Sequence, residues 1–496
     1  MPQRGIREDR KKIDEAVRNR KINLSVGINF PALPRFLTYL EASGITDSLA
    51  EIEVNKQRKC WEHMEVFPLI YLCKILVGIE STRGTREVLA NKAAMTLLGF
   101  SDEQLEKGLT GRGKANQYGK DYERQAQIVS EPTIVDNIAA YDHREIISTV
   151  FDAYIRWLAG QKQLELGDTY ILDSTLVETP ADYPGSAMTK RAEEDEDGNI
   201  QEKTIHGFKV FVLMDAKTKI PVALEIVTAE KADCNYLYSL LKKGIANVGP
   251  ERIRLLLADR GFIDGDQMWR IKHQLGVDFV IPARKSMDIW ADVVSLRQSQ
   301  SDRVVMWPYG KKGQSGGYLV AGAVSYGQYA ETPAGNRKYA SGDPLTAVVI
   351  THWRDKPVGA GKEKVLLTTL ATDDALIVMK SYRLRTLIEN CGFREMKQAA
   401  YLSRLPQRKG EQAELSAYAH MTLCVLAFAA FIGFLGWDEQ RARQAKEKYS
   451  AGSQNLRDYR VANRSNEGYI FIFYQGFYAV YETKELLAMM GMTFER

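Results

Sequence analysis

The sequence predicts a mixed α/β protein: a strand-rich core preceded by a mostly helical region. Three observations carry this. Residues 169–177 (TYILDSTLV) open a run of β-formers, where the preceding 160 residues show helical spacing. Residues 208–214 and 221–227 flank the turn Asp215-Ala-Lys-Thr-Lys219 and read as a hairpin. Residues 253–258 and 278–282 are short apolar runs on either side of a helical stretch at 265–275, the pattern of buried parallel strands.

In chain order, residues 1–160 read as helical. Residues 67–79 form an apolar helical run, a second stretch after 81–86 ends near Leu98-Gly99, and Asp102 is placed to cap a short helix after Ser101. Residues 108–120 (GLTGRGKANQYGK) are Gly-rich and basic and read as a linker. Ser130-Glu-Pro-Thr133 starts a helix with proline in its first turn, and apolar residues keep helical spacing from Thr133 to Leu158. Residues 165–282 give strand, strand, strand, helix (235–247), strand, helix, strand. That is the order of a ribonuclease-H-like sheet, an antiparallel meander extended by parallel strands through right-handed crossovers. Residues 283–362 interrupt it with short β-rich runs (304–307, 318–324, 347–352) between Gly/Ser/Pro turns, read as an inserted β subdomain. The core resumes over 363–440, with a strand at 363–370 and a long helix from about Asp374 through the 390s. Residues 441–496 form a C-terminal region. Two polar stretches, 184–204 and 443–466, are expected to be flexible. The acidic run at 193–197 lacks the ligand spacing of an EF-hand and reads as a solvated loop.

At 496 residues, 45% apolar and 26% charged, the chain is a soluble globular protein of more than one domain that needs no disulfides. Cys60, Cys73, Cys234, Cys391 and Cys424 are scattered, with no CxxC pair, which points to a reducing cytosol and no zinc site. The first twenty residues are charged and carry no signal-peptide core. Residues 421–437 are apolar enough to raise a membrane span, but at 17 residues they sit below the roughly 20 needed and read as a core helix, so no membrane partner is expected. The net charge of +4 says little, but its distribution says more. Residues 1–22 carry eight Lys/Arg against four acids, and residues 380–409 carry eight against two. Such local excess suits a phosphate backbone, and a solvated face equally. The helices of residues 1–160 therefore suit a DNA-end-binding region, and a structural helical domain almost as well.

Three acids occupy informative places. Asp173 lies inside the first core strand, Asp259 directly follows a buried strand in Ala-Asp-Arg-Gly-Phe262, and Glu389 lies on the helix that closes the fold. In a ribonuclease-H-like topology those strands are neighbours and the helix packs across the same edge, so the acids meet. Alone, each would be an ordinary turn or cap residue. Together they suit phosphodiester chemistry, in which two divalent ions about 4 Å apart activate a water and stabilise the leaving oxygen; hard ions such as Mg²⁺ take carboxylate oxygens. Gly261 would let backbone approach the site. Tyr382, Arg385 and Glu389 fall at i, i+3 and i+7, within about 60° on one helix face, as phosphate contacts or as a surface salt-bridge ladder. Glu395 is a rival third acid, about 120° off that face. His206 and Lys209 precede the second strand, in contact with DNA or in turn and packing roles. No P-loop and no Gly-x-Ser-x-Gly elbow appears, so nucleotide hydrolysis and acyl transfer find no support.

Tyr382-x2-Arg385-x3-Glu389 followed by a lysine resembles the YREK signature of bacterial insertion-sequence transposases with a DDE triad. Ile171-Leu-Asp-Ser-Thr175, Leu257-Ala-Asp-Arg-Gly-Phe262, the β-rich insertion before the glutamate and Leu366-Leu-Thr-Thr369 are similar to that family too, over roughly residues 165–435. The resemblance implies a DNA transposase that hydrolyses the phosphodiester at transposon ends and transfers the freed 3′-OH to target DNA. Asp173, Asp259 and Glu389 would hold two Mg²⁺ or Mn²⁺ ions. Tyr382, Arg385, Lys397, Arg260 and Lys209 would contact DNA. The partners would be terminal inverted repeats and target DNA, met as a homodimer in a synaptic complex in the bacterial cytoplasm, at the nucleoid. An inserted aromatic (Trp290, Trp307 or Trp353) could hold a flipped base, or pack in a core. Two alternatives stay open: a nuclease without strand transfer, and a non-catalytic DNA-binding derivative. The family pattern places its lysine seven residues after the glutamate. Here position 396 is methionine and the lysine is Lys397, about 100° out of line in a regular helix. A one-residue π-bulge near Cys391-Gly392 would restore the alignment.

Overall fold

The computed structural model describes the chain apart from residues 1–5, 55–62, 86–87, 89–90, 108–130, 162–163, 195–199, 298–303, 310–312, 327–328, 331–342, 354–355, 358–362, 438–455, 464–467 and 493–496. The linker expected at 108–120 lies outside the described residues. Two compact units are formed, Leu164–Arg394 and a unit of both chain ends, Met1–Gln163 with Glu395–Arg496. The acid-bearing core was expected to run to residue 440. By contacts the unit that holds the acids closes at Arg394, because the apolar helix Ala413–Trp437 is buried among the helices of the other unit.

Two short strands, β1 (Arg7–Glu8) and β2 (Leu24–Ile28), precede the core. The core then forms β3 (Thr169–Thr179), β4 (Ala187–Glu194), β5 (Ile200–Asp215), β6 (Pro221–Thr228), β7 (Leu255–Ala258) and β8 (Asp278–Pro282). β3, β5 and β6 make an antiparallel meander, β7 runs parallel to β3 and β8 parallel to β7, giving the order β6-β5-β3-β7-β8. This is the ribonuclease-H-like sheet. Its driving force is legible in β7, whose Leu-Leu-Leu-Ala is buried throughout. The meander turn is fixed by Asp215, whose Oδ2 accepts from Thr218 N (2.9 Å) and Oγ1 (2.6 Å), while Lys219 takes the left-handed conformation at φ 64°. The crossovers are the helices Leu237–Val248 and Gly265–Leu275. The second is capped at its start by Asp264, which accepts from Gln267 N, and at its end by Gly276 at φ 70°.

The insertion supplies β9 (Val304–Tyr309), β10 (Gly313–Ser325), β11 (Pro344–Ile350) and the pair β12 (His352–Trp353) and β13 (Lys356–Pro357) before the core resumes with β14 (Lys364–Thr368). β14 pairs with β8, and β11, β10 and β9 follow in turn, all antiparallel, so the insertion continues the core sheet. It also contains a helix, Asp288–Leu296.

One expectation is overturned. The stretch 184–204, expected to be flexible, is mostly strand among its described residues, with 195–199 outside them. β4 pairs with the first half of β5 from Ala187↔Gly207 to Glu194↔Ile200, a two-stranded ribbon that leaves the sheet. Its residues are mainly polar and charged, so its sequence reads as coil although the ladder runs through eight pairs. Gly207 marks where β5 passes from ribbon to sheet; a Cβ there would stand 2.1 Å from the Val177 carbonyl oxygen.

In the unit of the chain ends, β1 and β2 flank a C-terminal hairpin, β15 (Tyr469–Tyr474) and β16 (Phe477–Glu482), in the order β1-β16-β15-β2. The helix Arg10–Arg18 buries Ile13 and Ala16 on this sheet, Ile13 packing with Ile472, Ala479, Tyr481 and Leu486. The N-terminal region is therefore mostly helical but also supplies strands, and part of the 443–466 stretch is a helix, Leu456–Asn463, with 443–455 and 464–466 outside the described residues. The cap of the short helix Asp102–Lys107 is Ser101, one residue before the expected Asp102. Ser101 Oγ accepts from Gln104 N, and Gln104 Oε1 accepts from Ser101 N.

The helix Leu237–Val248 lies against the sheet with no room at Gly244, where a Cβ would meet Leu213 Cδ2 at 2.3 Å. In an open helix, Gly→Ala stabilises by up to ~1 kcal/mol. Here overpacking dominates, and Gly244→Ala is expected to destabilise by about 1–3 kcal/mol in urea titration. A gain in stability would contradict this packing.

Candidate active site

The site is built on two parallel strands. In the β3–β7 register Leu172 lies opposite Ala258, so the next residues, Asp173 and Asp259, stand side by side where β7 ends. Asp259 leaves the sheet in extended conformation and opens the 3-10 turn Arg260–Phe262. Strand alternation sends Asp173 and Ser174 to opposite faces.

Glu389 arrives on a broken helix. The segment expected as one long helix is three pieces: Ala375–Arg383, a π-helix Ile388–Phe393 and the α-helix Arg394–Gln398. The π turn holds Cys391-Gly392, where the Glu389-to-Lys397 spacing called for an extra residue. Gly392 belongs there because a Cβ would press on Met214 Sδ of β5 at 3.1 Å. Although the helix is interrupted at 384–385, Tyr382, Arg385 and Glu389 remain together.

Arg385 links the acids. Its Nη1 donates to Asp173 Oδ2 and its Nη2 to Glu389 Oε1, both at 3.0 Å. Asp173 and Arg385 are largely enclosed, with side chains 12% and 14% exposed, whereas Glu389 is 51% exposed. Burial pushes the Asp173 carboxyl up to about 7. Arg385 and the Ser174 N–H (2.8 Å from Oδ1) pull it down, while the charges of Asp259 and Glu389 push it further up. Tyr382 is buried beside Arg385, and its hydroxyl has no partner in hydrogen-bonding geometry among the described residues.

The donor set fits divalent metal. It consists of carboxylate oxygens, which hard cations prefer, and the space between Asp173 and Glu389 already holds a positive group, the Arg385 guanidinium. Among the described residues no three His, Cys, Asp or Glu side chains are already closed around one point.

The structure adds residues that sequence reasoning missed. Lys364, the first residue of β14, is exposed overall but sets its amine 4.5 Å from the Tyr382 ring centroid, and desolvation there with the Arg385 charge lowers its pKa. Arg284, just past β8, donates from Nε to the Arg260 carbonyl and from Nη2 to the Gly261 carbonyl, both at 3.2 Å, and so holds the turn after Asp259. Their only sequence signal was a cation at each strand boundary. Lys209 is not open to solvent: its Nζ donates to Asp233 Oδ1 and to the Lys231 carbonyl, each at 2.7 Å. His206 lies in β5 at the root of the ribbon. Trp290 is half-buried on the insertion helix, and the side chains of Trp307 and Trp353 lie outside the described residues.

The raised Asp173 pKa has a sign that can be tested. Between the ordinary 3.8 and about 7, the folded chain keeps a proton that the unfolded chain has released, so stability is lost as pH rises through this window. In metal-free buffer the melting temperature is expected to fall between pH 5.5 and 8, and to fall less in Asp173→Asn. Equal slopes would contradict the assignment.

The sequence matches the family model described as "Transposase DDE domain" over residues 165–426. Among solved structures, the chain is similar to a piggyBac transposase synaptic complex with hairpin DNA determined by cryo-EM, with a TM-score of 0.40 and 12% identity, covering 90% of this chain and 88% of that one. No curated protein sequence matches the chain. The family match spans more than half of the 496 residues and contains all three acids, and the protein therefore belongs to the DDE transposases, DNA-acting enzymes that depend on divalent metal.

Proposed function

We propose that Asp173, Asp259 and Glu389 are the metal-binding triad of a transposase of the bacterial insertion-sequence group with the YREK signature. The reading rests on one observation above all: the β3–β7 register sets Asp173 beside Asp259, and a single arginine joins Asp173 to Glu389. Two Mg²⁺ or Mn²⁺ ions bound by these carboxylates would supply an activated water and a stabilised leaving oxygen. The chain's own groups do the rest. Arg385, released from Asp173, is in position to take a phosphate oxygen, a charge-assisted contact of the kind arginine forms well. Tyr382 brings a buried hydroxyl to the same arginine. Arg260 follows Asp259 directly and would contact the strand being cut. Lys397 follows the π turn on the next helix, and the family pattern would assign it a phosphate contact.

In this reading, cleavage at the element's end frees a 3′-OH that the same residues hold for attack on target DNA. The helical N-terminal region contributes to binding the terminal inverted repeats. Two copies pair the two ends in a synaptic complex. The test is strand transfer from pre-cut ends in Mg²⁺ or Mn²⁺. Asp173→Asn, Asp259→Asn and Glu389→Gln are each expected to lower it by about 100-fold or more, while Glu395→Gln leaves it close to wild type. Full activity in any of the first three overturns the triad. Cleavage without joining would instead identify a nuclease.

A further inference from the structure

On the face of β3 away from Asp173, a fourth carboxylate ties the two acid-bearing elements together. Ser174 N donates to Asp173 Oδ1 at 2.8 Å, and Ser174 Oγ donates to Asp233 Oδ2 at 3.4 Å, so one residue touches both carboxylates. Asp233 Oδ1 accepts from Lys209 Nζ at 2.7 Å, with the two side chains only 25% and 13% exposed. The same Asp233 also meets the turn after Asp259, where a Cβ on Gly261 would stand 2.9 Å from Asp233 Oδ2. Glycine at 261 is therefore what lets the carboxylate close on that backbone.

The turn Asp233–Tyr236 that presents this carboxylate is itself well fixed. Tyr236 stacks on Phe211 of β5 at 4.5 Å, and Phe211 meets Phe262 edge-on at 6.1 Å. Gln267 donates to the Cys234 carbonyl and accepts from Tyr238 N. A largely enclosed ion pair gains little net stability, because desolvation offsets its attraction. Its contacts with both acid-bearing elements give it another use.

We propose that Asp233, held by Lys209, is a positioning residue that sets the spacing of Asp173 and Asp259 for divalent metal. The proposal rests on the metal-site reading above. It assigns Lys209 to supporting a carboxylate instead of to a phosphate.

The experiment is Mn²⁺ binding to the full-length protein without DNA, followed by electron paramagnetic resonance of the free ion. Asp233→Asn and Lys209→Met are each expected to weaken binding by about tenfold or more, and the double variant no further, because the two act as one pair. Melting temperature should stay close to wild type. Ser174→Ala is expected to weaken Mn²⁺ binding in the same direction without touching the ion pair, and it carries the test if Asp233→Asn does not fold. Asp173→Asn serves as the reference that loses binding. Wild-type affinity in Asp233→Asn and Ser174→Ala, alongside loss in Asp173→Asn, overturns the positioning role and leaves the metal site standing. Unchanged binding in Asp173→Asn as well overturns both.

Discussion

Arg385 lies between Asp173 and Glu389, within 3.0 Å of an oxygen of each, and the rest of the site depends on that charge. An enclosed Asp173 next to Asp259 would otherwise hold its proton. At an effective dielectric of about 20, opposite unit charges 4 Å apart attract by about 4 kcal/mol, comparable to the penalty of burying one carboxylate. The balance is close, and the Asp173 pKa reflects it by sitting near 7. In the proposed reading an internal cation stands where external ones would bind, and Arg385 gives way to them.

Every element around the site serves that spacing. The parallel register of β3 and β7 sets two acids side by side, the π turn carries Glu389, Arg284 holds the Asp259 turn by its carbonyls, and Asp233 packs against its glycine. The insertion strands lengthen the sheet beyond β14, and β14 itself brings Lys364 to the Tyr382 ring. Acid residues on a rigid sheet, with supports on both faces, are held more closely than loop residues would be.

Much of this was legible in the sequence, for identifiable reasons. β7 is a short apolar run, a helical stretch at 265–275 leads to β8, and the turn 215–219 separates two runs of β-formers; together they gave the ribonuclease-H-like order. The irregularity after Glu389 followed from counting eight residues to Lys397 where seven were expected, and the π-helix Ile388–Phe393 lies in that interval. Other parts could not be read. The ribbon of β4 and β5 is mainly polar and charged in sequence and so looks like coil. The terminal sheet pairs Leu24–Ile28 with Tyr469–Tyr474, strands that no local pattern connects. Asp233 carries no local signal, because its partners, Ser174, Lys209 and Gly261, come from three other segments.

The central claim is that these carboxylates exchange Arg385 for metal. The most direct measurement is an anomalous difference map from crystals of the full chain equilibrated with Mn²⁺. The account predicts density bound by Asp173, Asp259 and Glu389, with the Arg385 guanidinium moved off Asp173 Oδ2. Mn²⁺ bound elsewhere, or the Arg385–Asp173 pair intact in its presence, would contradict it.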